Sequence, residues 1–372
     1  MKTNVTYIVS FINKALAFEW LAEYLDKEKI NLHFILLNKD NSDLENFLIT
    51  QNISFNRITY TGKKDILKAI YSTIKILKKT KTEVVHTHLF DANIIGLTAA
   101  KICGIKKRIH TRHHSNYHHA YYPKAVKYDK FVNYLSTQIV AITNVVKRIL
   151  IEKEGVSENK IKLIHHGFQL QNFKNQNQNL IRNLKIKYNP ANQHPVIGVI
   201  SRYTEWKGIQ YIIPAFSELL KKHPSALLIL ANADGEYKYQ IKELLNTIPE
   251  KNYVEIEFEK DIFSLYHLFD VFVHVPITYE MEAFGQIYVE ALTAEIPSVF
   301  TLSGIANEFI ENEKNALVVD FKNSDQIYEA IIKIIENKID VNKLTKNGAN
   351  SVTNLFNLDL FIEKTTQLYL SK

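Results

Sequence analysis

The sequence predicts an α/β protein of two domains, each a parallel sheet with helices on both faces. Short β-branched runs alternate with amphipathic helical stretches almost throughout, the pattern that parallel sheets produce. A polar stretch interrupts this alternation once, and a second series then begins. At 372 residues the chain also exceeds one comfortable core, since domains average roughly 150 residues.

In the first series, strands are expected at residues 7–10, 32–37, 84–86, 108–110, 139–142 and 162–164. A helix is expected over 63–79, where Ile66, Ile70, Ile74 and Leu77 form one apolar stripe at helical spacing. From Phe173 to Pro195 the composition shifts to Asn, Gln and Lys, with two prolines near the end, which marks 174–195 as a linker. The second series has strands at 196–200, 226–230, 254–257, 271–275, 298–301 and 317–320. Helices follow most of these, including 208–221 and 285–294. Residues 356–370 read as a closing amphipathic helix. The expected division is 1–173, linker 174–195, 196–355 and a terminal segment 356–372.

Hydrophobic residues make up 46% and charged residues 23%, which excludes a mainly disordered or fibrous chain. The single cysteine, Cys103, cannot form an intrachain disulfide, so a secreted disulfide scaffold is excluded and a reducing, cytoplasmic setting is expected. Asn4, Thr6, Asn13 and Lys14 interrupt the apolar N-terminus, which reads as a strand rather than a targeting segment. No window approaches about 18 uninterrupted apolar residues, so a membrane span is not expected, although contact with a membrane surface is compatible with the sequence. The net charge of +7 and pI near 9.0 call for an anionic partner: nucleic acid, anionic lipid or a phosphorylated small molecule. Between Lys101 and Lys130 the basic residues are Lys101, Lys106, Lys107, Arg108, Arg112, Lys124, Lys127 and Lys130, against Asp129 alone. The first half therefore carries a localised basic surface.

Doubly wound sheets bind ligands beyond the carboxyl ends of their strands, and two such domains facing each other make a cleft, so residues just after strands are the candidates. In Ile200-Ser-Arg-Tyr-Thr-Glu-Trp-Lys-Gly208, Arg202 and Lys207 lie between an expected strand and helix. Two such cations suit a diphosphate and a developing phosphate leaving group, although solvated loop cations would look the same. In Glu282-Ala-Phe-Gly-Gln-Ile-Tyr-Val-Glu-Ala-Leu292, a helix starting near Gly285 leaves its first amides free for a phosphate, which makes Phe284, Gly285 and Gln286 candidates. Glu282 sits just ahead in the loop, and Glu290 on the second turn can accept both hydroxyls of a ribose. An N-terminal Glu placed by the helix dipole plus a solvated helical Glu is the plainer alternative.

These residues resemble the glycosyltransferases of the GT-B fold, specifically the large retaining family 4 group, whose mark is two glutamates separated by seven residues. Ser201-Arg202 through Lys207-Gly208 resembles that family's arginine and lysine pair, and Phe269-Asp-Val-Phe-Val273 its strand before the acidic motif. Ser303-Gly-Ile-Ala-Asn-Glu308 is similar to its Gly-Gly-x-x-x-Glu segment. Glu83-Val-Val-His-Thr-His-Leu89 and Arg108-Ile-His-Thr-Arg-His-His114 resemble its two histidine-bearing strand ends. Ala141-Ile-Thr-Asn144 and Ile164-His-His-Gly167 resemble its segments ending in Ser-x-x and Pro-Asn-Gly. The chain departs from the pattern at four places. Phe11-Ile12-Asn13-Lys14 stands where glycines often follow the first strand, Ser303 replaces a glycine, His165-His166 replaces Pro-Asn, and Glu295 replaces a glycine.

Seven of the fourteen histidines lie between His86 and His119, and a zinc or two-metal hydrolase is the sharp alternative that this clustering raises. Asp91 is the only acidic residue in that interval, so a cationic wall of neutral or protonated histidines donating to phosphate or sugar hydroxyls fits better. No Asp-x-Asp, Walker-type loop or Gly-x-Gly-x-x-Gly occurs. Glu255, Glu257 and Glu259 alternate as on a solvated edge strand. Nucleic acid is not expected, because aromatic interleaving is poor; Tyr117, Tyr121 and Tyr122 equally suit an acceptor site.

The resemblance implies a GT-B protein whose C-terminal domain binds a UDP or GDP sugar and whose N-terminal domain binds a saccharide or lipid-linked saccharide acceptor. It implies diphosphate binding by Arg202 and Lys207, sugar recognition by Glu282, ribose binding by Glu290 and His113 beside the transferred sugar. Transfer would retain the anomeric configuration and need no metal or other cofactor. With no assignable nucleophile, same-face attack with the leaving phosphate as base is expected. The alternatives are an epimerase or phosphorylase of the same fold, and a noncatalytic binder of nucleotide sugar or anionic lipid. The basic surface suggests peripheral contact with the inner face of an anionic membrane.

Overall fold

The computed structural model describes residues 2–174 and 177–371 and separates into two compact units, 1–168 with 358–372, and 169–357. In the first unit the strands are β1 (Thr3–Ser10), β2 (Ile30–Asn38), β3 (Ser54–Thr59), β4 (Val84–His88), β5 (Lys107–Arg112), β6 (Gln138–Ala141) and β7 (Ile161–Leu163). They form one parallel sheet in the order β3-β2-β1-β4-β5-β6-β7. Alternate residues of β1 feed opposite cores. Val5, Tyr7 and Val9 pack with Phe18, Leu21 and Leu368, while Ile8 packs with Ala69, Leu77 and Ile95. Burial on both faces is why these strands read as continuous apolar runs.

The second unit contains β8 (Val196–Ile200), β9 (Leu227–Ala231), β10 (Tyr253–Ile256), β11 (Val271–His274), β12 (Ser298–Phe300) and β13 (Leu317–Val318), all parallel, in the order β10-β9-β8-β11-β12-β13. Both sheets thus reverse direction next to their first strand, between β1 and β4 and between β8 and β11. At such a reversal the neighbouring crossovers pass to opposite faces and leave a crevice at the carboxyl ends.

Two expectations need correction, and the closing helix is present as expected. The strand β3 was not anticipated, because Ser54-Phe-Asn-Arg-Ile-Thr59 is mostly exposed at the sheet's edge and lacks the continuous apolar run. The segment 174–195 is not a bare linker. It carries the helix Gln178–Tyr188, whose Leu184 and Tyr188 are buried, and it belongs with the second unit; residues 175 and 176 lie outside the described residues. The closing helix, Leu358–Leu370, returns to the first unit, where the Tyr369 hydroxyl meets His86 Nδ1 at 2.7 Å. Of the alternating glutamates, only Glu255 lies in a strand, the edge strand β10, and it accepts from the Tyr203 hydroxyl at 2.9 Å.

Candidate active site

In the second unit the carboxyl ends of β8 and β11 bring together Lys207, His274 and Glu282. Lys207 closes the 3-10 turn Glu205–Lys207 that follows β8, and its ammonium lies 4.4 Å over the Trp206 ring. Gly208 comes next at φ 78°, where a Cβ would meet Val275 O at 1.9 Å, so the two strand-end loops can pack this closely only through glycine. His274 is the last residue of β11 and Glu282 lies in the loop beyond. Glu282 Oε1 accepts from Lys207 Nζ at 2.5 Å and from His274 Nε2 at 3.0 Å.

All three groups are shielded from solvent, and Glu282 is buried. Burial alone would raise the Glu282 carboxyl, but the Lys207 ammonium and the His274 hydrogen bond hold it at about 2. Burial also pulls His274 down to about 4 against the attraction of Glu282, so its ring is neutral and its Nε2–H donates. Both partners occupy Oε1, which leaves Oε2 as the acceptor for another hydroxyl.

The loop carrying Glu282 is fixed from β12. Ser303 is fully buried; its hydroxyl donates to Thr278 O at 2.7 Å and accepts from Glu282 N at 3.2 Å. Gly304, at φ 58°, donates to Tyr279 O, and a Cβ there would lie 2.8 Å from Glu282 Cβ. The serine standing in a glycine position is therefore a loop anchor. Gly285 caps the helix Gln286–Thr293 at φ 86°, with Gln286 exposed at its first turn. Phe284 contributes backbone only, since its ring is buried edge-on against Phe356 at 5.7 Å.

Glu290 is on this helix as expected, but it is not a freely solvated carboxylate. The buried Tyr266 hydroxyl donates to its Oε2 at 2.7 Å, and burial lifts the carboxyl to about 7, partly offset by that hydrogen bond. Arg202, just past β8, is exposed. Lys207 and Glu282 are thus built into one ion pair, whereas Arg202 stands outside it.

In the first unit, His113 follows β5 and His88 ends β4. His88 Nδ1 and His113 Nε2 are 2.9 Å apart, Tyr7 stacks on His88 at 4.6 Å, and His166 stacks on His113 at 5.7 Å. Leu89 adopts φ 73°, ψ 161°, a strained conformation directly after His88. Burial keeps these rings neutral: His86 falls to about 3, His166 to about 4, and His88 and His113 well below their ordinary value. Of the neutral or protonated histidine donors anticipated for this wall, burial favours the neutral ones, so the wall is not cationic through its histidines. His274 was not singled out from the sequence, and His88 and His166 were noted only within their motifs, without this role. The only signal was the strand-end position of His88 and His274.

His114 and His118 serve a different network. Asp129 accepts from His118 Nδ1 at 2.7 Å and His114 Nε2 at 3.3 Å, and pairs with Arg112 at 3.4 Å; Arg112 also pairs with Glu154. Ligand atoms of His114, His118 and Asp129 lie within 4.8 Å of one another, which is metal-compatible spacing. Arg112 is shared between the Asp129 and Glu154 carboxylates, and the described contacts form a hydrogen-bonded cluster. The sequence reading named Asp129 only as the acidic exception in the basic stretch Lys101–Lys130, because it lies outside the histidine interval.

Two doubly wound parallel sheets, the second with a lysine, a carboxylate and a helix start at its switch point, are the architecture of the GT-B fold. Residues 181–351 match the family model for glycosyl transferases group 1, and residues 19–172 match that for glycosyltransferase family 4. The chain belongs to the GT-B glycosyltransferases of the family 4 type. It is 26% identical over 366 residues to a capsular polysaccharide biosynthesis glycosyltransferase, CapM, of Staphylococcus aureus, covering 93% of this chain and 91% of that one. It is 25% identical to a UDP-Gal:alpha-D-GlcNAc-diphosphoundecaprenol alpha-1,3-galactosyltransferase of Escherichia coli, covering 82% and 79% respectively. Among solved structures, Anabaena Alr3699/HepE in complex with UDP and glucose superposes with a TM-score of 0.83 at 19% identity, covering 99% of both chains.

Proposed function

We propose that the protein transfers a sugar from a UDP or GDP sugar to a saccharide or lipid-linked saccharide acceptor, with retention of anomeric configuration and without a metal. The observation that carries this reading is the buried Lys207, Glu282 and His274 constellation at the switch point of the second unit. In this reading Lys207 and Arg202 hold the diphosphate and stabilise the charge that develops as the glycosidic C–O bond breaks. The Gly285 and Gln286 amides at the helix start bind a phosphate, Glu282 Oε2 accepts a sugar hydroxyl, and Glu290 holds the ribose. His113, oriented by His88, hydrogen-bonds a hydroxyl of the transferred sugar. The acceptor hydroxyl then attacks the face the leaving phosphate vacates and passes its proton to a phosphate oxygen. No carboxylate is assigned as a covalent nucleophile.

The relatives' names support the acceptor class, since they denote enzymes of capsular polysaccharide and lipid-linked saccharide synthesis. No helix among the described residues is long and apolar enough to cross a membrane, so a lipid-linked acceptor would be met at the bilayer surface. Thermal shift with UDP, GDP, ADP and their sugars identifies the donor, because a ligand that binds only the native state raises Tm. Proton NMR of the first-formed product then reads the anomeric configuration. Inversion refutes the mechanism. Release of nucleoside diphosphate only when acceptor is added supports the transferase. Conversion of the nucleotide sugar to its epimer with no such release would favour an epimerase, and formation of sugar 1-phosphate from a glycoside and phosphate a phosphorylase.

A further inference from the structure

The helices Ile66–Lys79, Phe90–Ile102 and Val126–Leu135 lie side by side on one face of the first unit's sheet, with Phe90–Ile102 in the middle. The outward faces of the two flanking helices are unusual for solvated surfaces. On Ile66–Lys79, Leu67 is 82% exposed and Tyr71 59%, one turn apart, with Lys68 and Lys75 beside them. On Val126–Leu135, Phe131 and Tyr134, the latter 76% exposed, share a face with Lys127 and Lys130. The one carboxylate in either helix, Asp129, is buried and held by Arg112, His114 and His118. Neither outward face therefore presents an acidic group.

From this geometry we infer that the three-helix layer docks on an anionic lipid bilayer, with Phe131, Tyr134, Leu67 and Tyr71 entering the headgroup region and the lysines meeting lipid phosphates. Lysine stems lie along apolar surface while their heads reach charge, and aromatic rings favour the interfacial zone, so this residue mixture matches a bilayer edge. A second copy of the chain fits less well, because a two-fold contact would set lysine against lysine. Nucleic acid could stack on Tyr71, Phe131 and Tyr134 but gains nothing from the most exposed apolar side chain, Leu67, which a bilayer takes up, and retention on RNA is an outcome of the test. The inference deepens the transfer reading by naming the surface on which a lipid-linked acceptor is met, and it rests on that reading for the acceptor alone.

The test is flotation of the full chain with vesicles of neutral phosphatidylcholine or with added phosphatidylglycerol, beside nucleotide-sugar binding by the same preparations. Binding is expected to anionic vesicles only, and to fall with salt. Each lysine is worth about a fivefold change in partition, so Lys127→Glu with Lys130→Glu should lower binding about twenty-fold or more. Phe131→Ser with Tyr134→Ser should lower it about tenfold. Both double variants should bind nucleotide sugar as the parent does, since these residues lie outside the second unit. Equal binding to neutral vesicles, binding that persists at high salt, or indifference to both double variants would overturn the inference. So would lysine-dependent retention on RNA or lysine-dependent dimerisation without vesicle binding. Loss of nucleotide-sugar binding by the parent would instead refute the transfer reading and leave the vesicle result standing.

Discussion

Arg202 and Lys207 looked alike in the sequence, yet their surroundings predict different variants. Arg202 is exposed, so Arg202→Ala should cut turnover sharply while leaving Tm nearly unchanged. Lys207→Ala removes the cation that stabilises a buried carboxylate and should also cost on the order of 3 kcal/mol of stability. The double variant Lys207→Met with Glu282→Gln removes both charges and should recover most of that stability without recovering activity. Thermal unfolding beside initial rates separates the two losses, and a Lys207→Ala protein as stable as the parent would contradict the ion pair's structural role. The two glutamates should also separate: Glu290→Gln weakens binding of the bare nucleoside diphosphate, whereas Glu282→Gln acts mainly on sugar-dependent steps. Equal losses in calorimetry would refute that division. Glu290 adds a pH signature, because burial raises its carboxyl from 4.5 to about 7. Between those values the folded state binds more protons than the unfolded one, so this contribution is fully present below pH 4.5 and is lost as pH rises through about 7. Glu290→Gln should flatten the change in Tm over that window. It should also flatten the rise in nucleotide-sugar affinity expected as the carboxylate ionises and becomes the better acceptor for ribose hydroxyls.

At the scale of elements, the active loops are held by close backbone approaches rather than by helix propensity. Gly208 joins the loop after β8 to the loop after β11, and Ser303 with Gly304 joins the latter to the end of β12. Gly208→Ala would require a left-handed alanine, costing roughly 1–3 kcal/mol, and would drive its methyl into Val275 O. The loops must separate, so activity should fall further than Tm; a fully active Gly208→Ala enzyme would show that the approach is not needed. Two places where the chain lacks a family glycine nevertheless keep the left-handed backbone. Phe11 sits at φ 53° and Glu295 at φ 57°. The turn geometry survives there at the expense of local strain, which the residue types alone did not reveal.

Over the whole chain, what was legible followed periodicity. Strands buried on both faces, such as β1, β8 and β9, announced themselves as apolar runs, whereas the exposed edge strand β3 and the helix inside the polar segment 174–195 did not. Arg202, Lys207, Glu282 and Glu290 could be read from their positions after strands. Pairings across long sequence separations could not, and these include Glu282 with His274, Glu290 with Tyr266, and Asp129 with His114 and His118. The last of these bears on the metal question. Lys207 and the exposed Arg202 place cations at the strand ends of the second unit, and Asp129 already accepts from His114 and His118 and shares Arg112 with Glu154. Transfer should therefore proceed unchanged after exhaustive EDTA treatment and dialysis. If activity disappeared and returned with manganese or zinc, Asp129→Asn would show whether the ion sits at His114, His118 and Asp129: a variant no longer rescued by metal would move the catalytic role to that cluster and displace Lys207 as the source of leaving-group stabilisation.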